Sequence, residues 1–172
     1  MLKLKRGAVP TLILLAVLAI AGTAFYIIQS RSGPKTGVLE IRDTDTGLVL
    51  GTWPLTDNGE FTIAFIHSVN QSPVREVFSV NDGKLRLRSV RFYSFGAGMQ
   101  SDLDEGHLLS RDGDAMVISG FNVSFREIHY IIGTISNHVL LVNNERVNLW
   151  GLADTSDRQN AHITLLYNTE GN

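Results

Sequence analysis

The chain has 172 residues, no cysteine and a formal net charge of -2 at pH 7. The length predicts one domain with an appended segment, and a chain without cysteine has no disulfide, thiolate metal site or cysteine nucleophile. Three of the 15 basic residues precede the first apolar run, which leaves 12 against 17 acidic residues. The rest of the chain is therefore acidic, which argues against nucleic-acid binding.

The first element is an uncharged run of 21 residues, Ala8 to Ile28. About 20 apolar residues span a hydrocarbon core of about 30 Å. Because the basic residues precede this run, we predict a cytoplasmic N-terminus and an extracytoplasmic remainder. Ala19 to Ala21 also fits a signal-peptide cleavage site. Cleavage there would leave the apolar stretch Phe25 to Ile28 on the mature chain, so we favour an anchor, residues 1–29, retained in the cytoplasmic membrane.

Residues 30–37 are rich in Ser, Gly and Lys and are predicted to form a linker. From residue 38 to 172, short runs of Val, Ile, Phe, Tyr and Thr alternate with Gly, Asn, Asp and Pro, which is typical of an all-β domain. We expect a β-sandwich or a partly open barrel of about nine or ten strands. The predicted strands are 38–42, 48–53, 60–67, 74–80, 84–95, 115–119, 124–132, 138–142, 146–150 and 162–167.

Several local features refine this pattern. Pro54 is predicted to end the second strand, and apolar residues on both faces of 60–67 predict a central strand. In 84–95 the apolar positions change parity near Ser89, which predicts a β-bulge. Residues 96–113 are rich in Gly and Asp and form the longest predicted loop, a class of segment that is often functional.

The densest group of polar residues in an apolar context follows the third strand. His67 has the parity of Phe65, and Glu76 shares a face with Val74 and Phe78. Because an unpaired carboxylate on an apolar face is costly, we expect Glu76 to have a partner, and a hairpin would make His67 a candidate. The alternative is a structural hydrogen bond within a tight turn.

Further candidates lie outside this group. Gly96 and Gly98 allow close backbone approach and could present N–H groups to a carboxylate, or simply form a bend. Ser68, His138 and Glu76 have the residue types of a hydrolase triad, but no Gly-x-Ser-x-Gly elbow is present. The histidines and carboxylates lack the short spacing typical of zinc sites. We therefore predict no metal, no cofactor and no catalytic residue.

Phe65-Ile66-His67-Ser68-Val69, Ser72 to Glu76, Ser94 to Gly98 and the later stretch Ile131 to Ile135 with His138 together resemble a domain-of-unknown-function family. Its members are small exported bacterial proteins, often encoded beside TRAP transporters of the TAXI subclass. The family has no established biochemical activity. The resemblance implies an accessory protein for the uptake of small organic anions, in contact with the transporter's membrane subunits or its solute receptor.

These observations favour a non-enzymatic module that binds a ligand or partner near the membrane. The candidate binding residues are His67, Ser68, Glu76, Gly96, Gly98 and His138. Two other hypotheses stay open: a serine-type hydrolase that uses Ser68, and a purely structural scaffold.

Overall fold

The computed structural model describes residues 36–93, 103–153 and 159–169. These residues form strands β1 (Thr36–Asp43), β2 (Val49–Thr56), β3 (Glu60–Ile66), β4 (Pro73–Asn81), β5 (Lys84–Phe92), β6 (Leu108–Asp112), β7 (Ala115–Ser119), β8 (Ser124–Phe125), β9 (Glu127–Gly133), β10 (Val139–Val142), β11 (Glu145–Asn148) and β12 (Asn160–Thr169), and one short helix, α1 (Leu149–Leu152). The all-β prediction is confirmed, with twelve strands in the described part instead of nine or ten.

The strands form two antiparallel sheets. The four-stranded sheet has the order β2-β1-β12-β9, and the eight-stranded sheet has the order β11-β10-β3-β4-β5-β7-β6, with β8 paired to β5 off this path. Residues of both sheets share one large buried cluster, which includes Leu39 and Ile163 from the first sheet and Phe61 and Leu140 from the second. The two sheets are therefore held together by a common apolar core.

Short turns connect neighbouring strands where the sequence offers Asn, Asp and Gly. Asp82 and Gly83 have φ values of 50° and 72°, and Asn143 and Asn144 have values of 49° and 64°. Positive φ at both central residues is the requirement of a type I′ hairpin, which matches the twist of the flanking strands. Both turns fall in the gaps that the sequence analysis left between predicted strands, one between 74–80 and 84–95 and the other between 138–142 and 146–150.

The bulge predicted near Ser89 is confirmed by the pairing of β4 with β5. Val77 lies opposite Ser89, but the next residue, Phe78, lies opposite Leu87, so Arg88 is the extra residue. The bulge lets Leu85 and Leu87 share the inner face with Val90 and Phe92. β3 is also central as predicted, because it lies between β10 and β4.

Three boundaries were predicted wrongly. Pro54 does not end β2, which runs to Thr56. β2 is an edge strand of its sheet, the position at which a proline, which has no N–H to donate to a neighbouring strand, is tolerated. Residues 108–112, expected within a loop, form β6 because they pair with β7. Trp150, expected in a strand, lies in α1.

Within the described ranges, no helix has the length and apolar character needed to cross a membrane. The predicted anchor, residues 1–29, lies outside those ranges, as do the candidates Gly96 and Gly98. Of the predicted linker 30–37, residues 30–35 lie outside them as well, whereas Thr36 and Gly37 belong to β1.

Candidate functional site: a cleft at the ends of strands β3 and β9

A cleft of about 470 Å³ lies where β3 and β9 end. One wall is the end of β3 and its following turn, and the other is the end of β9 and the turn that leads to β10. The lining residues are Phe65, Ile66, His67, Ser68, Tyr130, Ile131, Gly133, Thr134, Ile135, Ser136, His138 and Asn160. None of these described residues is Lys, Arg, Asp or Glu, so the lining combines apolar groups with neutral hydrogen-bonding groups.

The first wall is shaped by the turn from His67 to Ser72. The His67 N–H donates to Ser72 O at 2.9 Å, and the Gln71 N–H donates to His67 O at 2.9 Å. The N–H of Val69 donates to His67 Nδ1 at 3.3 Å. With Nδ1 accepting this bond, the neutral form of the ring carries its proton on Nε2, and that N–H has no partner among the described residues.

The second wall is connected to the first through Ser136. Ile66 at the end of β3 donates its N–H to Ser136 O at 2.7 Å, which links the two turns. Asn137 follows with a φ of 43°, a left-handed conformation that Asn tolerates better than most residues. Ile131 and Ile135 on this wall are 66% and 68% exposed. The cleft therefore has an apolar, solvent-facing rim.

Beneath the cleft, Tyr130 of the four-stranded sheet donates its hydroxyl hydrogen bond to Glu76 of the eight-stranded sheet. Glu76 lies between Ile63 of β3 and Val90 of β5 in the strand register. Residues directly opposite one another on adjacent strands form one row across the sheet through Glu76. In order, this row consists of Val147, Leu140, Ile63, Glu76, Val90, Ile118 and Leu109. Glu76 is thus a single acidic group in an apolar row, and Tyr130 is its partner across the two sheets.

The apolar surroundings alter the protonation of this pair. Burial raises the pKa of Glu76, and the hydrogen bond from Tyr130 lowers it by a smaller amount. Burial also raises the pKa of Tyr130, and the negative charge and hydrogen bond of Glu76 raise it further. Tyr130 therefore stays protonated, and the phenol remains a donor to the carboxylate.

His138 forms the part of the cleft that lies between aromatic rings. Its ring stacks on Phe65 with centroids 4.9 Å apart and meets Tyr130 edge-on at 5.8 Å. The residue is 5% exposed, and its Nδ1 atom is buried without a hydrogen-bond partner among the described residues. Burial lowers the pKa of His138 to about 4. His138 is therefore a neutral imidazole at pH 7.

The backbone of His138 is fixed by α1. The Leu149 N–H donates to His138 O at 3.0 Å. Asn148 is the N-cap of α1, and its Oδ1 accepts from Trp150 N at 3.0 Å and from Gly151 N at 3.2 Å. We expect Asn148→Ala to lower the free energy of unfolding by about 1 kcal/mol, since an N-cap acceptor is lost. Urea denaturation measures this loss.

Asn148→Asp is the matched control, because the carboxylate still accepts from the two N–H groups. We expect it to be close to wild type. An Asn148→Asp variant that is destabilised as strongly as Asn148→Ala would contradict the capping role.

The structure brings three of the six candidate binding residues together. His67, Ser68 and His138 line one cleft. Glu76 does not line it, but its partner Tyr130 does. Gly96 and Gly98 lie outside the described residues.

The suggested pairing of His67 with Glu76 was wrong. The hairpin itself exists, but Glu76 lies opposite Ile63, four residues before His67 along β3. Four residues of strand extend about 13 Å, which is too far for a hydrogen bond. Tyr130 was missed, although a signal was present: a tyrosine on the inner face of a strand needs a partner for its hydroxyl, as Glu76 needs a donor.

No group of three or more histidine, aspartate or glutamate side chains in the described residues is placed to hold a metal ion. Ser68 is exposed, and its hydroxyl makes no hydrogen bond to a histidine or carboxylate among the same residues.

Comparison with known proteins places this site within a family. No curated protein and no solved structure is significantly similar to the chain. A family model described as "Domain of unknown function (DUF1850)" matches residues 61–149, just over half of the chain. The matched residues include every residue that lines the cleft except Asn160. The chain therefore belongs to the DUF1850 family, a family of unknown function.

Proposed function

We propose that this protein is a non-catalytic binding module, anchored at the outer face of the cytoplasmic membrane, that binds a partner or ligand of a TRAP-type transporter in the cleft between β3 and β9. The observation that carries the proposal is the cleft itself, with its volume of about 470 Å³ and its hydrogen-bonding groups. Concave, mostly apolar sites with a few placed polar groups are typical of binding sites.

The rim of the cleft adds to this argument. Ile131 and Ile135 are two of the most exposed large apolar side chains among the described residues, and Val69, next to Ser68, is 66% exposed. Single exposed apolar residues need no explanation, but a group around one cleft is typical of an interaction site. The rim therefore favours contact with an apolar part of a partner.

Binding is favoured over hydrolysis by the surroundings of Ser68. A serine nucleophile needs a neighbouring base within hydrogen-bonding reach. His67 precedes Ser68 in the chain, but its Nδ1 is occupied by the N–H of Val69. His138 is held between Phe65 and Tyr130 and does not hydrogen-bond to Ser68.

The membrane setting is supported by the sequence alone. The uncharged run from Ala8 to Ile28 is long enough to span a bilayer, and the basic residues before it favour an outward domain. The transporter association is supported by the resemblance of the cleft segments, 65–69 and 131–138, to proteins often encoded beside TRAP transporters.

A photo-crosslinking amino acid at Ile135 of the full-length chain, in its native membrane, tests this proposal. Because Ile135 is 68% exposed, the substitution is not expected to disturb the fold. We expect crosslinked products that contain a membrane subunit or the solute receptor of a TRAP transporter, identified by mass spectrometry.

Leu108 is the matched control position. It is 66% exposed and lies on β6, the edge strand at the opposite end of the sheet from β10 and β11. We expect no such product from Leu108. Equal products from both positions, or no product from Ile135, would contradict binding at the cleft.

A further inference from the structure

A second concave site lies on the outer face of the eight-stranded sheet, on the other side of β3 from the cleft. Its volume is about 180 Å³, and its lining includes Ala64, Arg75, Asn137, Val139 and Arg146. Strand register explains the shape, since Val139, Ala64 and Arg75 are direct neighbours across β10, β3 and β4. The small side chain of Ala64 between two larger ones leaves a hollow with an apolar floor.

Two guanidinium groups border this hollow without a carboxylate to balance them. Arg75 and Arg146 make no salt bridge or side-chain hydrogen bond to any of the described residues. Their neighbour Arg91, directly opposite Arg75 on β5, is paired with Asp112. Of these three arginines, Arg91 is therefore neutralised by a carboxylate, whereas Arg75 and Arg146 at the hollow are not.

Both arginines at the hollow are exposed, so their guanidinium groups are accessible to an anion. Arginine presents a planar fork that binds carboxylate oxygens in a bidentate manner. An anion between Arg75 and Arg146 would give both guanidinium groups a partner.

We propose that this hollow binds a small aliphatic carboxylate. The carboxylate lies between Arg75 and Arg146, and its alkyl part covers Ala64 and Val139. A volume of about 180 Å³ corresponds to about six water molecules, since a water occupies about 30 Å³ of liquid, which fits an acid of a few carbons. The proposal does not rest on the proposed function of the cleft, which shares Phe65 and Ile66 with the hollow but has no Arg or Lys in its lining.

The test is a titration of the full-length, ¹⁵N-arginine-labelled protein in detergent with acetate, propionate and butyrate at constant ionic strength. Chemical shifts of the arginine Nε–H groups report contact directly. We expect saturable shifts at Arg75 and Arg146, with affinity rising about fourfold for each added methylene group. We expect no comparable shift at Arg126, an exposed arginine of the β8–β9 connection.

Different substitutions test the contribution of the two arginine charges and that of the apolar floor of the hollow. Arg75→Gln and Arg146→Gln should each weaken butyrate binding at least tenfold, and Arg126→Gln should leave it unchanged. Ala64→Leu keeps every charge but fills the hollow, and it should weaken binding equally. The exposed positions of Arg75 and Arg146 keep these two variants informative if Ala64→Leu does not fold.

Three results would overturn the proposal. The first is equal shifts at Arg126 and at Arg75, which would show general screening. The second is an affinity that does not change from acetate to butyrate. The third is inorganic phosphate binding as tightly as butyrate, because a phosphate has no alkyl part to cover the apolar floor.

Discussion

Tyr130→Phe is expected to lower the free energy of unfolding by about 2 kcal/mol at pH 7. The variant keeps the ring but removes the hydroxyl that donates to Glu76, so a partly buried carboxylate loses its donor. The loss should shrink as the pH falls, because a protonated Glu76 has less need of that donor. Urea denaturation followed by tryptophan fluorescence measures it, since both tryptophans, Trp53 and Trp150, lie in the β domain.

Tyr167→Phe is the matched control. Tyr167 is also largely buried, and its hydroxyl donates to a neutral carbonyl, Leu55 O, at 2.9 Å. We expect a loss of about 1 kcal/mol that does not change between pH 5 and 8. Equal losses in both variants at every pH would show that the charge of Glu76 is irrelevant to the effect of Tyr130.

A double variant tests the pair itself. Glu76→Leu with Tyr130→Phe replaces both polar partners by apolar groups in a row that already contains Ile63 and Val90. Removing both partners of a buried polar pair is often close to neutral. We therefore expect the double variant to be more stable than Tyr130→Phe alone. A double variant that is less stable than Tyr130→Phe would disprove this account.

His138→Phe is expected to remove part of the acid sensitivity of the domain. Histidine titrates near pH 6.5 when the chain is unfolded, whereas burial lowers the pKa of His138 to about 4 in the fold. A lowered pKa in the folded state means that stability is fully present above pH 6.5 and is lost as the pH falls towards 4. The contribution of His138 to this loss is on the order of 3 kcal/mol.

Phenylalanine at position 138 keeps an aromatic ring against Phe65 and Tyr130 but does not titrate. Glu76 contributes to the pH dependence of stability with the opposite sign. Its pKa is raised in the fold, so its contribution to stability falls as the pH rises from about 4.5 through the folded value. Since Glu76 is present in both proteins, the difference between their urea midpoints at pH 7, 6, 5 and 4 isolates His138. Parallel curves for the two proteins would contradict the neutral, buried state of His138.

The strand pattern was largely predictable because it depends on residues close together in the chain. Phe61, Ile63 and Phe65 recur at every second residue and share one face of β3, which packs against the buried core. The parity change near Ser89 predicted a bulge, and the extra residue is Arg88. By contrast, β6 was missed because its five residues are all exposed and carry no alternation. Its pairing with β7 determines its conformation.

The candidate site, like the strand pattern, was only partly predictable from the sequence. The sequence analysis named His67, Ser68 and His138 among six candidate binding residues, and these three line one cleft. It also predicted that Glu76 needs a partner, since the residue lies on an apolar face. It did not identify Tyr130, which is 54 residues away in the chain and belongs to the other sheet.

By itself, the sequence determined an all-β domain, its main hairpin turns and the unusual position of a carboxylate among apolar residues. These follow from side-chain alternation and from the backbone preferences of Asn, Asp and Gly. Only the tertiary structure decided which strands enter which sheet, and therefore that Tyr130 meets Glu76 and that Arg75 and Arg146 share a hollow. Such contacts depend on strand order and register, which no local pattern specifies.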